Sequence, residues 1–216
     1  MSAGDGGSAE AAATPAAPSI RPATAGDAAE VARLHATCIS DGFLSSLGEA
    51  FLTRLYRRMS TAEGSFLFVA VTEGGVAGFV AGTVSTRALF STFLRRDGPA
   101  VVLHSGLTML RSWRHVLETL RHGSSSPSGA RADGELLAIA VGPACRREGV
   151  GAQLVERLLG EMAGRGARTV EVVVGADNAG AISMYRRAGF VERRRLELHA
   201  GIPSLVLEHG GRAPSP

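Results

Sequence analysis

The sequence predicts a single α/β domain, and three observations carry that expectation. Two apolar runs, Glu135–Val141 and the valine-rich Thr169–Val174, have the length and composition of interior strands. A helix pattern follows each of them, Ala152–Ala163 after the first and Ala179–Ala188, opened by Asp177-Asn178, after the second. Pairs of short strand-like runs around glycine-bearing turns lie on both sides of this region.

Taken in order, Ser19–Ala23 reads as a first strand. Thr24 and Asp27 stand like a capping pair before a helix over Ala28–Cys38, where Val31, Leu34, His35 and Cys38 recur at helical spacing. A second helix is expected over about Gly48–Met59, with Phe51, Leu52, Leu55, Tyr56 and Met59 on one stripe. Phe66–Thr72 and Val76–Val84 flank Glu73-Gly74-Gly75 as a hairpin; Val191–Leu198 and Ile202–Leu207 flank Ala200-Gly201 as another. Glu135–Val141, ended by Gly142-Pro143, is expected to be a central strand buried on both faces.

Composition agrees with one sizeable core. Of 216 residues, 45% are hydrophobic and 5% aromatic, ordinary values for a soluble enzyme. Residues 1–18, rich in Ala, Gly, Ser and Pro, read as a disordered tail, residues 19–209 as the domain and 210–216 as a second tail. The first tail lacks the basic start and apolar stretch of a secretory signal, and no apolar run is long enough to span a bilayer. Cys38 and Cys145 form neither a disulfide framework nor a metal-ligand pattern, so a reducing cytoplasm and no metal are expected.

The segment Arg146-Arg147-Glu148-Gly149-Val150-Gly151 joins the first interior strand to its helix. Two glycines one residue apart permit a tight turn with several N–H groups presented together. The helix opening behind them adds its positive dipole end, so the corner suits a phosphate or pyrophosphate. A nucleoside-triphosphate loop is excluded because it needs a lysine, and all 23 Lys/Arg positions are arginine. A dinucleotide fingerprint is excluded because Leu154 stands where its third glycine belongs. The remaining pattern, Arg/Gln-x-x-Gly-x-Gly/Ala, resembles the acetyl-CoA loop of the GNAT acetyltransferase superfamily. The likeness runs over residues 135–190: strand, loop, helix, strand, Asn178, a helix carrying Tyr185, then Gly189-Phe190. Asn178 and Tyr185 are two helical turns apart, the family's spacing. The element order is also the superfamily's. It implies a GNAT-like mixed, mostly antiparallel central sheet with helices on both faces and a helical insert between the third and fourth strands.

The resemblance implies a role for each site residue. Backbone groups of Ile139, Ala140 and Val141 would pair with the pantetheine arm and hold the oxyanion. Arg146 and the backbone of Arg147, Glu148, Gly149, Val150, Gly151 and Ala152 would cradle the pyrophosphate. Asn178 is a helix cap, a cofactor contact, or both. Tyr185 is either the general acid to the departing thiolate or an amphipathic core tyrosine. Glu135 is either the general base, as in the histone acetyltransferase branch, or a solvated glutamate at a strand start. It lies about 13 Å along the strand from Ile139, so proton removal would run through water. The ribosomal-protein branch places its glutamate where this chain has Val173, and Glu171 is the nearest acid on that face. The implied enzyme is an acetyl-CoA-dependent N-acetyltransferase working by direct transfer in a ternary complex. Its acceptor would be a small-molecule amine or amino sugar first, a protein N-terminus or lysine second. A non-catalytic acyl-CoA-binding domain is the alternative; the presence of both Glu135 and Tyr185 argues against it.

Between the third and fourth strands, residues 85–133 form an insert whose stretch Arg87–His122 reads as helical. Leu103, Leu107, Leu110, Trp113 and Leu117 give it an apolar face. Residues 85–122 carry net +4 where the whole chain carries +3. The insert is a solvated face packed on the domain, a lid over the acceptor site, or a basic surface for peripheral contact with anionic membrane. No base-reading module is present, and nucleic acid is not an expected partner.

Overall fold

The computed structural model describes residues 17–39, 43–93, 95–96, 132–198 and 202–210. Most of both expected tails, the Ala200-Gly201 turn and residues 94 and 97–122 of the expected insert helix lie outside these residues. Strand β1 (Ser19–Pro22) leads through a short 3₁₀ turn into α1 (Ala28–Cys38), then α2 (Phe43–Ser46) and α3 (Glu49–Met59). The expected first hairpin is β2 (Ser65–Thr72) and β3 (Gly75–Thr83), after which residues 86–93 form helix α4. β4 (Gly134–Val141), α5 (Val150–Gly164), β5 (Thr169–Gly175) and α6 (Ala179–Arg187) follow, and β6 (Val191–Leu198) with β7 (Ile202–Gly210) closes the fold.

The seven strands make one sheet in the order β1-β2-β3-β4-β5-β7-β6. Every pairing is antiparallel except β4 with β5. Helices cover both faces. On one, Val31 and Ala32 of α1 and Phe51, Leu52, Leu55, Tyr56 and Met59 of α3 pack with Leu89 and Phe93 of α4 over β2, β3 and β4. On the other, Val150, Leu154, Val155, Leu158 and Met162 of α5 and Ile182 and Tyr185 of α6 pack over the rest of the sheet. The α3 stripe read from the sequence is thus buried throughout, and in α1 Val31 and His35 are buried while Leu34 and Cys38 are half-buried. The cap before α1 also forms: Thr24 N–H and Oγ1 donate to Asp27 Oδ2 at 2.7 and 2.8 Å, and Arg21 grips the same carboxylate at 2.8 Å through each of two nitrogens. His35, stacked against Phe79 and bonded to Tyr56 at 2.5 Å, is held neutral because burial pulls its pKa down to about 4.

Two expectations are corrected. β4 is not buried on both faces: its residues alternate buried and half-buried, because its neighbour on one side leaves it. Helix α5 begins at Val150, not Ala152, since Gly149 in the left-handed region serves as its N-cap and lets the first turn close early.

Candidate active site

The gap comes from β4 and β5. Their ladder pairs Gly134 with Val170, Glu135 with Glu171 and Leu136 with Val172, and it ends there although both strands continue. The entrance is pinned by Asp133, whose Oδ2 accepts from Arg168 N–H at 2.8 Å and whose N–H donates to Thr169 Oγ1 at 2.9 Å. A register shift in the β3–β4 ladder leaves Leu137 as an extra residue opposite Ala81/Gly82, and such a bulge bends its strand. At the far end Gly142 N–H donates to Ala77 O at 2.7 Å. Peptide groups of alternate residues turn to opposite sides of a strand. Val141 and Ile139 therefore turn theirs away from β3, into the gap, while Ala140 turns its groups toward β3.

The loop after β4 has two residues at positive φ, Arg147 at 67° and Gly149 at 79°. Arg147 bears a side chain in a conformation that favours glycine, so the surrounding loop must hold it there. Alternating handedness of this kind turns successive N–H groups to one side as an anion-binding nest. Among the described residues no backbone acceptor takes the amides of 147–152, and the first helical bond is Gln153 N–H to Gly149 O at 3.1 Å. A Cβ at Gly151 would stand 2.9 Å from Met184 Sδ on α6, so the thioether would have to shift to admit one. Arg146 behaves differently from its neighbours. Its Nε donates to Val141 O at 3.0 Å and its Nη2 lies 3.5 Å from Cys38 Sγ, so the guanidinium ties the loop to β4 and to the end of α1.

Asn178 and Tyr185 lie on α6, which starts beyond the end of β5. Asn178 is the N-cap, its Oδ1 accepting from Ala181 N–H at 3.0 Å. Tyr185 is buried with its ring 5.3 Å from that of Phe190, in the same cluster against which Ile139 and Val141 pack. Burial raises its pKa, so the phenol keeps its proton.

Glu135 lies on the opposite face of the sheet. Leu136 belongs to the α5 side, whereas Glu135 takes a hydrogen bond at 2.5 Å from Thr86 Oγ1 of α4, on the α1–α3 side. Burial raises its pKa and nearby Glu171 raises it further, against the Thr86 hydrogen bond. The two expected proton-handling groups therefore lie on opposite faces of the sheet, Glu135 in the paired part of β4 just before the gap. Neither Thr86 nor the role of Arg146 was found by reading the sequence. The register of β4 on β5, which sets Glu171 beside Glu135, has no signature in either strand alone.

A family model for the acetyltransferase (GNAT) family matches residues 38–190. The chain belongs to that family. The matched span runs from the end of α1 to Phe190 and holds the whole GNAT loop, both splayed strands, Asn178 and Tyr185. Two curated relatives of this GNAT chain are the mycothiol acetyltransferase of Cellulomonas flavigena, 37% identical over 83 residues, and the [ribosomal protein bS18]-alanine N-acetyltransferase of Escherichia coli, 44% identical over 57 residues. These alignments cover 38% and 26% of this chain, and only 24% and 38% of the relatives' own lengths. Among solved structures, yncA from Salmonella typhimurium, solved with its cofactor acetyl-CoA, superposes with a TM-score of 0.59 at 14% identity, covering 93% of this chain and 99% of that one. The fold is the GNAT fold, with seven strands and helices on both faces. Among the described residues no group of His, Cys, Asp and Glu could hold a metal, and no helix is long and apolar enough to cross a membrane.

Proposed function

We propose that this chain transfers an acetyl group from acetyl-CoA to a primary amine by direct attack in a ternary complex. The observation that carries the reading is a succession along the chain: β5 stops pairing with β4 after Leu136, and the loop that ends β4 presents amides 147–152 that no backbone acceptor among the described residues takes. The nest residues would take the pyrophosphate, with Asn178 beside them, and the groups of Ile139 and Val141 would line the pantetheine arm. Ala140 supports that strand from behind, and Arg146 holds Val141 and the loop together.

The reaction follows from the groups around the gap. A neutral amine attacks the thioester carbonyl carbon; its nitrogen lone pair forms the new C–N bond. The carbonyl oxygen gains charge, which N–H groups of β4 facing the gap would offset. The nitrogen's surplus proton passes through water to Glu135, whose raised pKa suits it to accept near neutral pH. The C–S bond then breaks, and the thiolate takes a proton from Tyr185, which burial keeps protonated.

A small-molecule amine or amino sugar is the acceptor class we favour, supported by the likeness to a mycothiol acetyltransferase. A protein N-terminus is the second reading, favoured by the likeness to an S18-alanine N-acetyltransferase. Purified protein given acetyl-CoA and a panel of amino sugars, polyamines and peptides decides between them by release of free thiol. Turnover on small amines supports the first, turnover on peptides alone the second. Binding of CoA with no turnover on any amine would instead indicate a non-catalytic acyl-CoA-binding domain. The cytoplasm, and peripheral membrane contact through the basic insert, belong to the same proposal. They are tested by cell fractionation and by sedimentation with anionic vesicles.

A further inference from the structure

Glu135 does not stand alone on its face of the sheet. It is in register with Glu171 on β5, and Glu171 is in register with Glu208 on β7. Side chains at paired positions of adjacent strands leave the sheet on the same side, with their Cβ atoms about 5 Å apart. A row of three carboxylates therefore crosses β4, β5 and β7. Its outer two members are balanced from β6. Arg193 Nε and Nη2 donate to Glu208 Oε1 at 3.0 and 2.7 Å, and Arg194 Nη2 lies 3.6 Å from Glu171 Oε1. A bulge on β6 between Glu192 and Arg194 turns these two consecutive arginines against the same row. Glu135, at the inner end, has no arginine partner among the described residues; it has Thr86.

We infer that Glu171 is a positioning residue for Glu135, its charge setting the pH at which Glu135 takes the amine proton, and that Arg194 is the counterweight to that charge. This rests on the reading of Glu135 as the base. The groups facing Glu135 among the described residues are Glu171 from β5, Glu208 one strand further on β7, and Arg194 and Arg193 from β6. Thr83 on β3 and Thr86 on α4 are uncharged. A negative neighbour favours the protonated form of a carboxyl, and a cation shared with that neighbour weakens the effect. Both directions are visible in Glu171 itself, raised by burial and by Glu208 but lowered by Arg194. The outcome is a base with a charge state open to tuning from β6, three strands away, through Glu171.

The test is a carbon-13 titration of the full chain labelled at glutamate Cδ, with the Glu135 signal assigned by its loss in Glu135→Gln. Glu171→Gln should move the Glu135 titration to lower pH and Arg194→Gln should move it to higher pH, each by about half a unit or more. Glu171→Asp, which keeps the charge, should stay near the parent. The acid limb of kcat/KM on whichever amine turns over should move with the same signs. No movement, or movement of both variants in one direction, overturns the inference. If Glu171→Gln does not fold, the sign of the Arg194→Gln shift decides alone. Full turnover by Glu135→Gln would overturn the base reading and this inference together. Loss of turnover there, with a Glu135 titration indifferent to Glu171 and Arg194, would overturn this inference alone.

Discussion

Glu135 and Tyr185 are both moved by burial toward their protonated forms, and the consequences are opposite. A protonated phenol is ready to donate, so Tyr185 loses nothing at neutral pH. Tyr185→Phe keeps the ring against Phe190 and should fold normally while kcat falls roughly 10- to 100-fold, as steady-state kinetics on the best amine would read. Glu135 must be ionised to act, and its surroundings resist that. Glu135→Gln should lower kcat/KM by about 10²-fold or more with CoA affinity unchanged. The stability effect has a definite sign. A carboxyl whose folded pKa is raised contributes stability at low pH that is lost as pH rises through that pKa. Glu135→Gln should therefore melt higher than the parent at pH 8, with the difference closing in acid. Cys38 is a free thiol 3.9 Å from Val141 O. Direct transfer requires that Cys38→Ser keep turnover and that initial-velocity lines intersect; parallel lines would point to an acyl-enzyme.

At the scale of elements, caps and turns carry the load. Asp27 joins β1 to the start of α1 through Arg21 and Thr24, and the Arg21 hydrogen bond, foremost among these contacts, holds its carboxyl well below the usual range. Its contribution is fully present above the unfolded carboxylate range and is lost as pH falls from there through the depressed folded pKa. Asp27→Asn should cost about 1–2 kcal/mol at pH 7 by urea denaturation and most of that still at pH 3, because the folded carboxyl stays ionised there; the difference closes only in stronger acid. Gly149 holds φ 79° at the mouth of α5. Gly149→Ala strains that turn by about 1 kcal/mol and should weaken CoA binding by roughly tenfold in calorimetry. These local devices were legible: the Thr24–Asp27 pair, the paired glycines and the stripe from Phe51 to Met59 each state their geometry within a few residues. What stayed hidden is between elements. Nothing in Glu135–Val141 tells that β5 abandons it after Leu136, so its apolar run read as doubly buried. Likewise Arg146 read as part of the pyrophosphate cradle, and only the folded loop turns it onto Val141 O.

Among the described residues the molecule is a sheet with two packed faces and an opening between β4 and β5, the one pair of strands there that run parallel. Family and fold were legible because their signals, a loop, an Asn and a Tyr at set distances, are sequential. The acceptor was not, because the groups that would select it are brought together only by pairings across the sheet, which no single strand states. The proposal that acetyl-CoA enters this opening is tested most directly by backbone hydrogen exchange with and without CoA. Amides 147–152, and those of Ile139 and Val141, should be slowed by saturating CoA, with the sheet away from the gap unchanged. Absence of protection at 147–152 with millimolar CoA, or protection confined to another surface, would contradict it.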